Sequence, residues 1–314
     1  MNIVVLDGYT VNPGDLTWEP LEKLGDACVF ERTSYDQILP RAASADVLVV
    51  NKVRINADHL RQLPNLKCIC LLATGYDNVD IAAAKSQNIP VFNAVGYGTE
   101  SVAQHTMAMM LAFTNKIETH HRSVREGQWS SQDDFSYSLN TVTELAGKNL
   151  GIIGFGKIGS RVGELAQVFG MNILTTSKRK FNGIAKQVSS EELYRSSHYI
   201  SLHAPLTEET HGMINDESLR VMRRDAVIIN TGRGDLINEN HLVEALLEER
   251  IGGAILDVLG IEPPLASNRL LHLKNVVVTP HMAWRSKEAR NNLINIVAKN
   301  IVDFSNGRME KSLV

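Results

Sequence analysis

Apolar positions along this chain gather in short unbroken runs instead of alternating with polar ones. In the N-terminal third the runs fall at 3–6, 28–30, 47–50, 68–72 and 91–92, and many of their members are β-branched. Segments with helical apolar spacing separate them, 57–63 among them. A long amphipathic stretch, about 100–125, leads into a second series at 150–153, 173–176, 199–203, 226–230, 253–257 and 276–279. Strand and helix alternate throughout, and unbroken apolar strands predict sheets covered on both faces. The pattern therefore predicts an α/β chain with parallel, doubly wound sheets. A last helical pattern, about 287–304, follows the second series, and periodicity alone does not say on which unit it packs.

With 314 residues, 44% of them hydrophobic, the chain has material for two domains of ordinary size. The net charge is 32 − 35 = −3 with no long block of one sign, which argues against a nucleic-acid or anionic-membrane partner and for a small molecule. Three cysteines, Cys28, Cys68 and Cys70, sit in apolar runs; an odd count of this kind suits reduced, buried thiols. The chain opens directly on an apolar strand, and no apolar run reaches membrane-spanning length, so a cytoplasmic protein is expected.

Gly154-Phe155-Gly156-Lys157-Ile158-Gly159 follows the run 150–153 and opens the helical segment 158–169. In that context Gly154 makes a tight turn, Gly156 admits a pyrophosphate, and Gly159 lets helix approach strand, with Lys157 and Ile158 in the phosphate-binding first turn. The alternative is a purely structural glycine turn. About 20 residues on, an acidic residue ordinarily binds the ribose 2′-hydroxyl. Here Ser177 stands 177 − 159 = 18 residues past the third glycine, followed by Lys178, Arg179 and Lys180. A hydroxyl and three cations suit a 2′-phosphate, so the NAD(P)(H) site leans towards NADP(H); a solvated basic turn that tolerates NAD(H) is the alternative.

Three later segments each put a polar residue at a strand end, where open α/β sheets bind ligands. They are Asn230-Thr231-Gly232-Arg233-Gly234, the stretch from Asp257 through Glu262-Pro263-Pro264, and Thr279-Pro280-His281-Met282-Ala283-Trp284. Arginine, glutamate and histidine together can bind a carboxylate and move a proton.

These segments and the glycine fingerprint closely resemble the D-isomer-specific 2-hydroxyacid dehydrogenase family over nearly the whole chain. Ala73-Thr74-Gly75-Tyr76-Asp77-Asn78-Val79-Asp80 resembles the family's substrate-carboxylate loop, and Gly96-Tyr97-Gly98-Thr99-Glu100-Ser101-Val102-Ala103-Gln104-His105 its hinge. Asn51-Lys52-Val53, Glu262-Pro263-Pro264 and His281-Met282-Ala283-Trp284 carry a finer likeness to glycerate dehydrogenases, also called hydroxypyruvate reductases. The resemblance implies a Rossmann NAD(P)-binding domain over 100–285 and a smaller flavodoxin-like substrate-binding lid domain made of 1–99 plus 286–314. It also implies a homodimer formed through an arm around 116–137.

By the same resemblance, His281 is the general acid of reduction, Glu262 orients it and favours its protonated form, and Arg233 grips the substrate carboxylate. Asp257 is expected to accept from the nicotinamide carboxamide, Thr231 and Gly232 to line the cofactor, and His203 and Pro205 to border its ribose. Lys52, the Ala73, Thr74 and Gly75 loop and Trp284 are the expected substrate contacts, Lys52 being equally readable as a solvated lysine and Trp284 as interface core. His105, His120, His121 and His198 read as structural. A nicotinamide-sensing binding module and a phosphoglycerate dehydrogenase-like enzyme are the competing readings. Which small 2-keto or 2-hydroxy acid is used depends on a pocket volume that sequence does not reveal.

Overall fold

The unbroken apolar runs become the strands of two wholly parallel sheets. The structure, a computed structural model, describes residues 1–177 and 183–314. The chain divides into two units, one of residues 1–98 and 284–314, the other of residues 99–283.

The first unit holds β1 (Asn2–Val5), β2 (Asp26–Val29), β3 (Val47–Val50), β4 (Cys68–Leu71) and β5 (Val91–Phe92), in the order β2-β1-β3-β4-β5. That is the flavodoxin-like order, which reverses direction between β1 and β3. All residues of the central strands β3 and β4 are buried, because both faces are covered. On one face Ile38, Leu60 and Ala84 pack from short helices; on the other Leu293, Ile294, Val297 and Ile301 of the helix Lys287–Ser305 meet Ile3, Val5, Val47 and Val49. The last helical pattern therefore belongs to this unit. Each such fully buried leucine, isoleucine or valine contributes about 1.5–3 kcal/mol. At the edge, β2 is only half covered, and Cys28 is exposed, which corrects the expectation of three buried thiols; Cys68 and Cys70 are buried.

The second unit holds β6 (Asn149–Ile153), β7 (Asn172–Thr175), β8 (Lys186–Gln187), β9 (Tyr199–Leu202), β10 (Val227–Asn230), β11 (Gly253–Leu256) and β12 (Val276–Val278). Their order, β12-β11-β10-β9-β6-β7-β8, reverses direction between β6 and β9, as in dinucleotide-binding sheets. The amphipathic stretch 100–125 forms two helices, Thr99–Asn115 and Ile117–Arg125, because Lys116 between them takes a left-handed conformation with φ of 50°. Ala103, Met107 and Met110 of the first pack beside Val162 and Ala166 of the helix Lys157–Val168 on one face of the sheet, while Leu193, Leu219 and Leu242 cover the other. Among the described residues no helix is long and apolar enough to cross a membrane.

Candidate active site

The glycine loop separates into glycines that the chain itself requires and one that it does not. Gly154 ends β6 at φ 91°, and a Cβ there would lie 2.3 Å from the Ala204 amide nitrogen. This close approach is fixed by the His203 amide, which donates to the Ile153 carbonyl at 2.7 Å. A Cβ on Gly159 would lie 2.2 Å from the Gly154 carbonyl oxygen. At Gly156 a Cβ would meet no atom of the chain within 4 Å, and φ is −85°. Gly156 and Lys157 are exposed at the start of the helix Lys157–Val168, with Ile158 half-buried behind them. The first amides of a helix have no partner one turn back, which makes such an end attractive to phosphate.

Around this loop, Ser177 follows the end of β7, its amide donating to Thr175 Oγ1 at 3.2 Å. Lys178 and Arg179, expected beside it, lie outside the described residues. At the end of β9, His203 Nε2 sits 2.8 Å from Ser201 Oγ, and burial pushes its imidazole down to about 4, leaving it neutral at pH 7. Pro205 is exposed, its carbonyl accepting from Thr210 Oγ1. Thr231 is buried with its hydroxyl 3.3 Å from Thr106 Oγ1, and the Gly232 amide donates to Asn230 Oδ1 at 3.0 Å.

Three neighbouring strands then deliver the charged residues, since β10, β11 and β12 are adjacent in the sheet. Asn230, fully buried at the end of β10, also donates through Nδ2 to the Arg233 carbonyl at 2.7 Å, so one side chain fixes the turn that carries the guanidinium. Arg233 donates to the Gly232 carbonyl at 2.9 Å. A Cβ on Gly234 would lie 2.0 Å from the Leu259 carbonyl carbon, so the Arg233 turn is pressed onto the loop after β11. In that loop Glu262 Oε1 accepts from the Leu259 amide at 3.0 Å, and Glu239 accepts from the Gly260 amide at 2.6 Å. The other oxygen of Glu262 lies 2.6 Å from Nδ1 of His281, with both side chains partly exposed. Occupying Nδ1 in this way leaves Nε2 as the nitrogen that can give or take a proton, and the carboxylate fixes the tautomer.

Asp257, expected to accept from a cofactor carboxamide, is bound within the chain. Its side chain is completely enclosed, one oxygen accepting from Thr279 Oγ1 at 2.5 Å and the Met282 amide at 2.9 Å, the other from the Ala283 amide at 2.8 Å. Burial works against its ionisation, but bonds from His105, Thr279, Ala283 and Met282 outweigh that and hold the carboxyl below the usual range. The residue thus clamps the 279–283 turn in which His281 sits.

In the first unit, the carboxylate of Asp7, at the end of β1, accepts from the consecutive amides of Asn51, Lys52 and Val53. Lys52 is thereby held on a fixed loop with its side chain exposed. Asn51 donates to the Leu72 carbonyl, tying that loop to the 72–78 loop, and Thr74 Oγ1 donates to the Ala94 carbonyl at 2.6 Å. Among the described residues the amides of Ala73, Thr74 and Gly75 donate to no acceptor of the chain, so three consecutive donors remain for an anion. Trp284 packs edge-on against Tyr97 at 6.2 Å as part of this unit's core margin. Asn230 and Thr279 lie in the strand-end segments that the sequence marks, though with no role assigned, whereas Asp7 was missed; its signal is its place just beyond an apolar strand.

Residues 107–283 match the family described as D-isomer specific 2-hydroxyacid dehydrogenase, NAD binding domain. The chain is 40% identical over 314 residues to the hydroxypyruvate reductase of Blautia hydrogenotrophica, covering 98% of both chains. It is 40% identical over 275 residues to the glycerate dehydrogenase of Methylorubrum extorquens, covering 87% of both. Among solved structures, an acyclic imino acid reductase in complex with NADPH and D-Arg is similar over 100% of both chains, with 30% identity and a TM-score of 0.87.

Proposed function

This chain belongs to the D-isomer-specific 2-hydroxyacid dehydrogenase family, and from that premise we propose that it is a hydroxypyruvate reductase, equally a glycerate dehydrogenase, that also accepts glyoxylate. The observation that carries this reading is the 2.6 Å pairing of His281 with Glu262 on the loop against which the Arg233 turn is pressed.

The residues fit a nicotinamide dinucleotide: Gly156 leaves the space a pyrophosphate needs, beside the amides that open the helix Lys157–Val168. When bound, the nicotinamide supplies the hydride that adds to the keto carbon. His281 gives its Nε2 proton to the carbonyl oxygen, so that hydride and proton together make the 2-hydroxyl, and it takes that proton back in the reverse direction. Glu262 keeps the imidazole in the orientation and tautomer this requires. Arg233 holds the carboxylate with its planar fork and polarises the carbonyl. The amides of Ala73, Thr74 and Gly75, with Lys52, are the candidate substrate contacts of the first unit. Residues 1–98 with 284–314 are accordingly the substrate-binding domain and 99–283 the cofactor domain.

Ser177, where an acidic residue would repel a 2′-phosphate, supports NADP(H) as the preferred cofactor. A homodimer through the arm around 116–137 is supported by the exposure of large apolar side chains there, Phe135 at 92% and Trp129 at 49%. A cytoplasmic location agrees with a small-molecule reductase.

The test is the oxidation of NADPH and of NADH by purified protein with hydroxypyruvate, glyoxylate and pyruvate, beside His281→Ala. Turnover of hydroxypyruvate with NADPH, lost in the variant, is the expected result. A preference for NADH removes the cofactor assignment alone, and no turnover with any of the three acids removes the activity.

A further inference from the structure

His281 occupies a left-handed backbone conformation, φ 50°, which is uncommon for a residue with a side chain. Part of what holds it is local: its amide donates to the Asp257 carbonyl at 2.8 Å and to the Thr279 carbonyl at 3.0 Å. The Asp257 carboxylate clamps the turn, and the helix Thr99–Asn115, which carries no residue of the proposed chemistry, adds to its hold. Ser101 Oγ donates to the Ala283 carbonyl at 2.6 Å, and His105 Nε2 lies 3.1 Å from Thr279 Oγ1 and 3.4 Å from Asp257 Oδ1. Ser101 and His105 are one helical turn apart on one face, so they grip the two ends of the 279–283 turn.

The direction of the His105 bond follows from counting hydrogens. Thr279 has one hydroxyl hydrogen and two acceptors in reach, Asp257 Oδ1 at 2.5 Å and Met109 Sδ at 3.5 Å; the shorter contact, to an ionised carboxylate, takes it over the weak thioether acceptor. Nothing remains for Thr279 to donate, so Nε2 of His105 must carry hydrogen and donate.

We propose that Ser101 and His105 are positioning residues of the dehydrogenase reaction: acting through Thr279, Asp257 and Ala283, with His105 as an obligatory Nε2–H donor, they hold His281 in its reactive backbone conformation. The inference rests on His281 being the proton donor, and its effect falls on the proton-transfer step more than on binding, because none of these residues belongs to the glycine loop or to the carboxylate-binding loops.

Two measurements test it. Long-range proton–nitrogen correlation of the imidazoles reads the His105 tautomer without reference to activity; Nε2–H is expected, and Nδ1–H overturns the assignment even if no keto acid is turned over. Steady-state kinetics then compare His105→Ala, His105→Gln, Thr279→Val and the His105→Ala/Thr279→Val pair, with thermal melting and NADPH fluorescence titration of each. His105→Ala should lower kcat by about tenfold or more with KM and the NADPH Kd within about twofold, as for loss of one hydrogen bond to a charged group. His105→Gln, whose amide can donate, should recover most of kcat, and the pair should fall no further than Thr279→Val alone. A kcat for His105→Ala within about twofold of the parent, a His105→Gln as poor as His105→Ala, or additive losses in the pair each overturn the proposal. If His105→Ala does not fold, Thr279→Val is compared with Thr279→Ser, since only serine keeps the hydroxyl: a kcat recovered in Thr279→Ser alone supports the proposal, and equal values in the two overturn it.

Discussion

Glu262 Oε2 and His281 Nδ1 are 2.6 Å apart, a side-chain link between the loops after β11 and β12, and the same carboxylate accepts from the Leu259 amide through its other oxygen. Glu262 is therefore anchored on one side and directs the imidazole on the other. Glu262→Gln keeps the shape but replaces the charged acceptor on His281 Nδ1 with a neutral one. It should lower kcat for 2-keto acid reduction by about 10- to 100-fold, the range for a hydrogen bond to a charged group, while KM changes by less. Steady-state kinetics with hydroxypyruvate check this, and a kcat equal to the parent's would remove Glu262 from the mechanism.

Much of this architecture was legible because the strands are buried on both faces. The runs at 47–50 and 91–92 coincide with β3 and β5, and the others lie within about two residues of theirs. The two-residue β8, Lys186–Gln187, was invisible because an exposed edge strand has no apolar run to betray it. The break at Lys116 escaped because apolar spacing continues across it, and a left-handed lysine has no sequence signature comparable to glycine's. In the site, glycines and charged residues stand out by type. Asp7 and His105 do not, because each acts by holding backbone or side chains that are distant in sequence, and such partners appear only after folding.

His203 gives the protein an acid-sensitive element. Its folded imidazole is pushed down to about 4 by burial, against about 6.5 when exposed, so between these values the unfolded chain binds the proton and the folded one does not. The contribution to stability is fully present above pH 6.5 and is lost as pH falls towards 4, with an upper limit of roughly 3 kcal/mol. His203→Gln keeps a partner for Ser201 and cannot titrate. The difference in Tm between parent and variant should therefore change across pH 6.5 to 4 and level off outside it; parallel Tm curves would show that His203 is solvated.

Asp7 holds the loop that presents Lys52, and its three amide donors leave no room for a substitute with a donor of its own. Asp7→Asn must turn its NH2 towards one of those amides. The cost should be about 1–3 kcal/mol of stability, with a KM for the keto acid raised several-fold and kcat nearly kept. Thermal melting and kinetics together test this. A stability loss without a KM change would detach the 51–53 loop from substrate binding.

Gly156 and Gly154 should respond to substitution in opposite ways. At Gly154 a Cβ would collide with the backbone of His203 and Ala204 at 2.3–2.4 Å, and φ is 91°, so Gly154→Ala should lower Tm by several degrees whether or not cofactor is present. At Gly156 φ is negative and a Cβ would meet nothing of the chain, so Gly156→Ala should melt within about a degree of the parent. What the methyl occupies is the space assigned to the pyrophosphate, and the amides that open the next helix lose their close approach to it. NADPH titrated into Gly156→Ala, followed by its fluorescence, should therefore bind at least about tenfold more weakly, the equivalent of about 1.4 kcal/mol. Unchanged affinity in a stable Gly156→Ala would mean that the cofactor does not lie against this glycine, and the dinucleotide site would have to be placed elsewhere along the ends of β6 and β9.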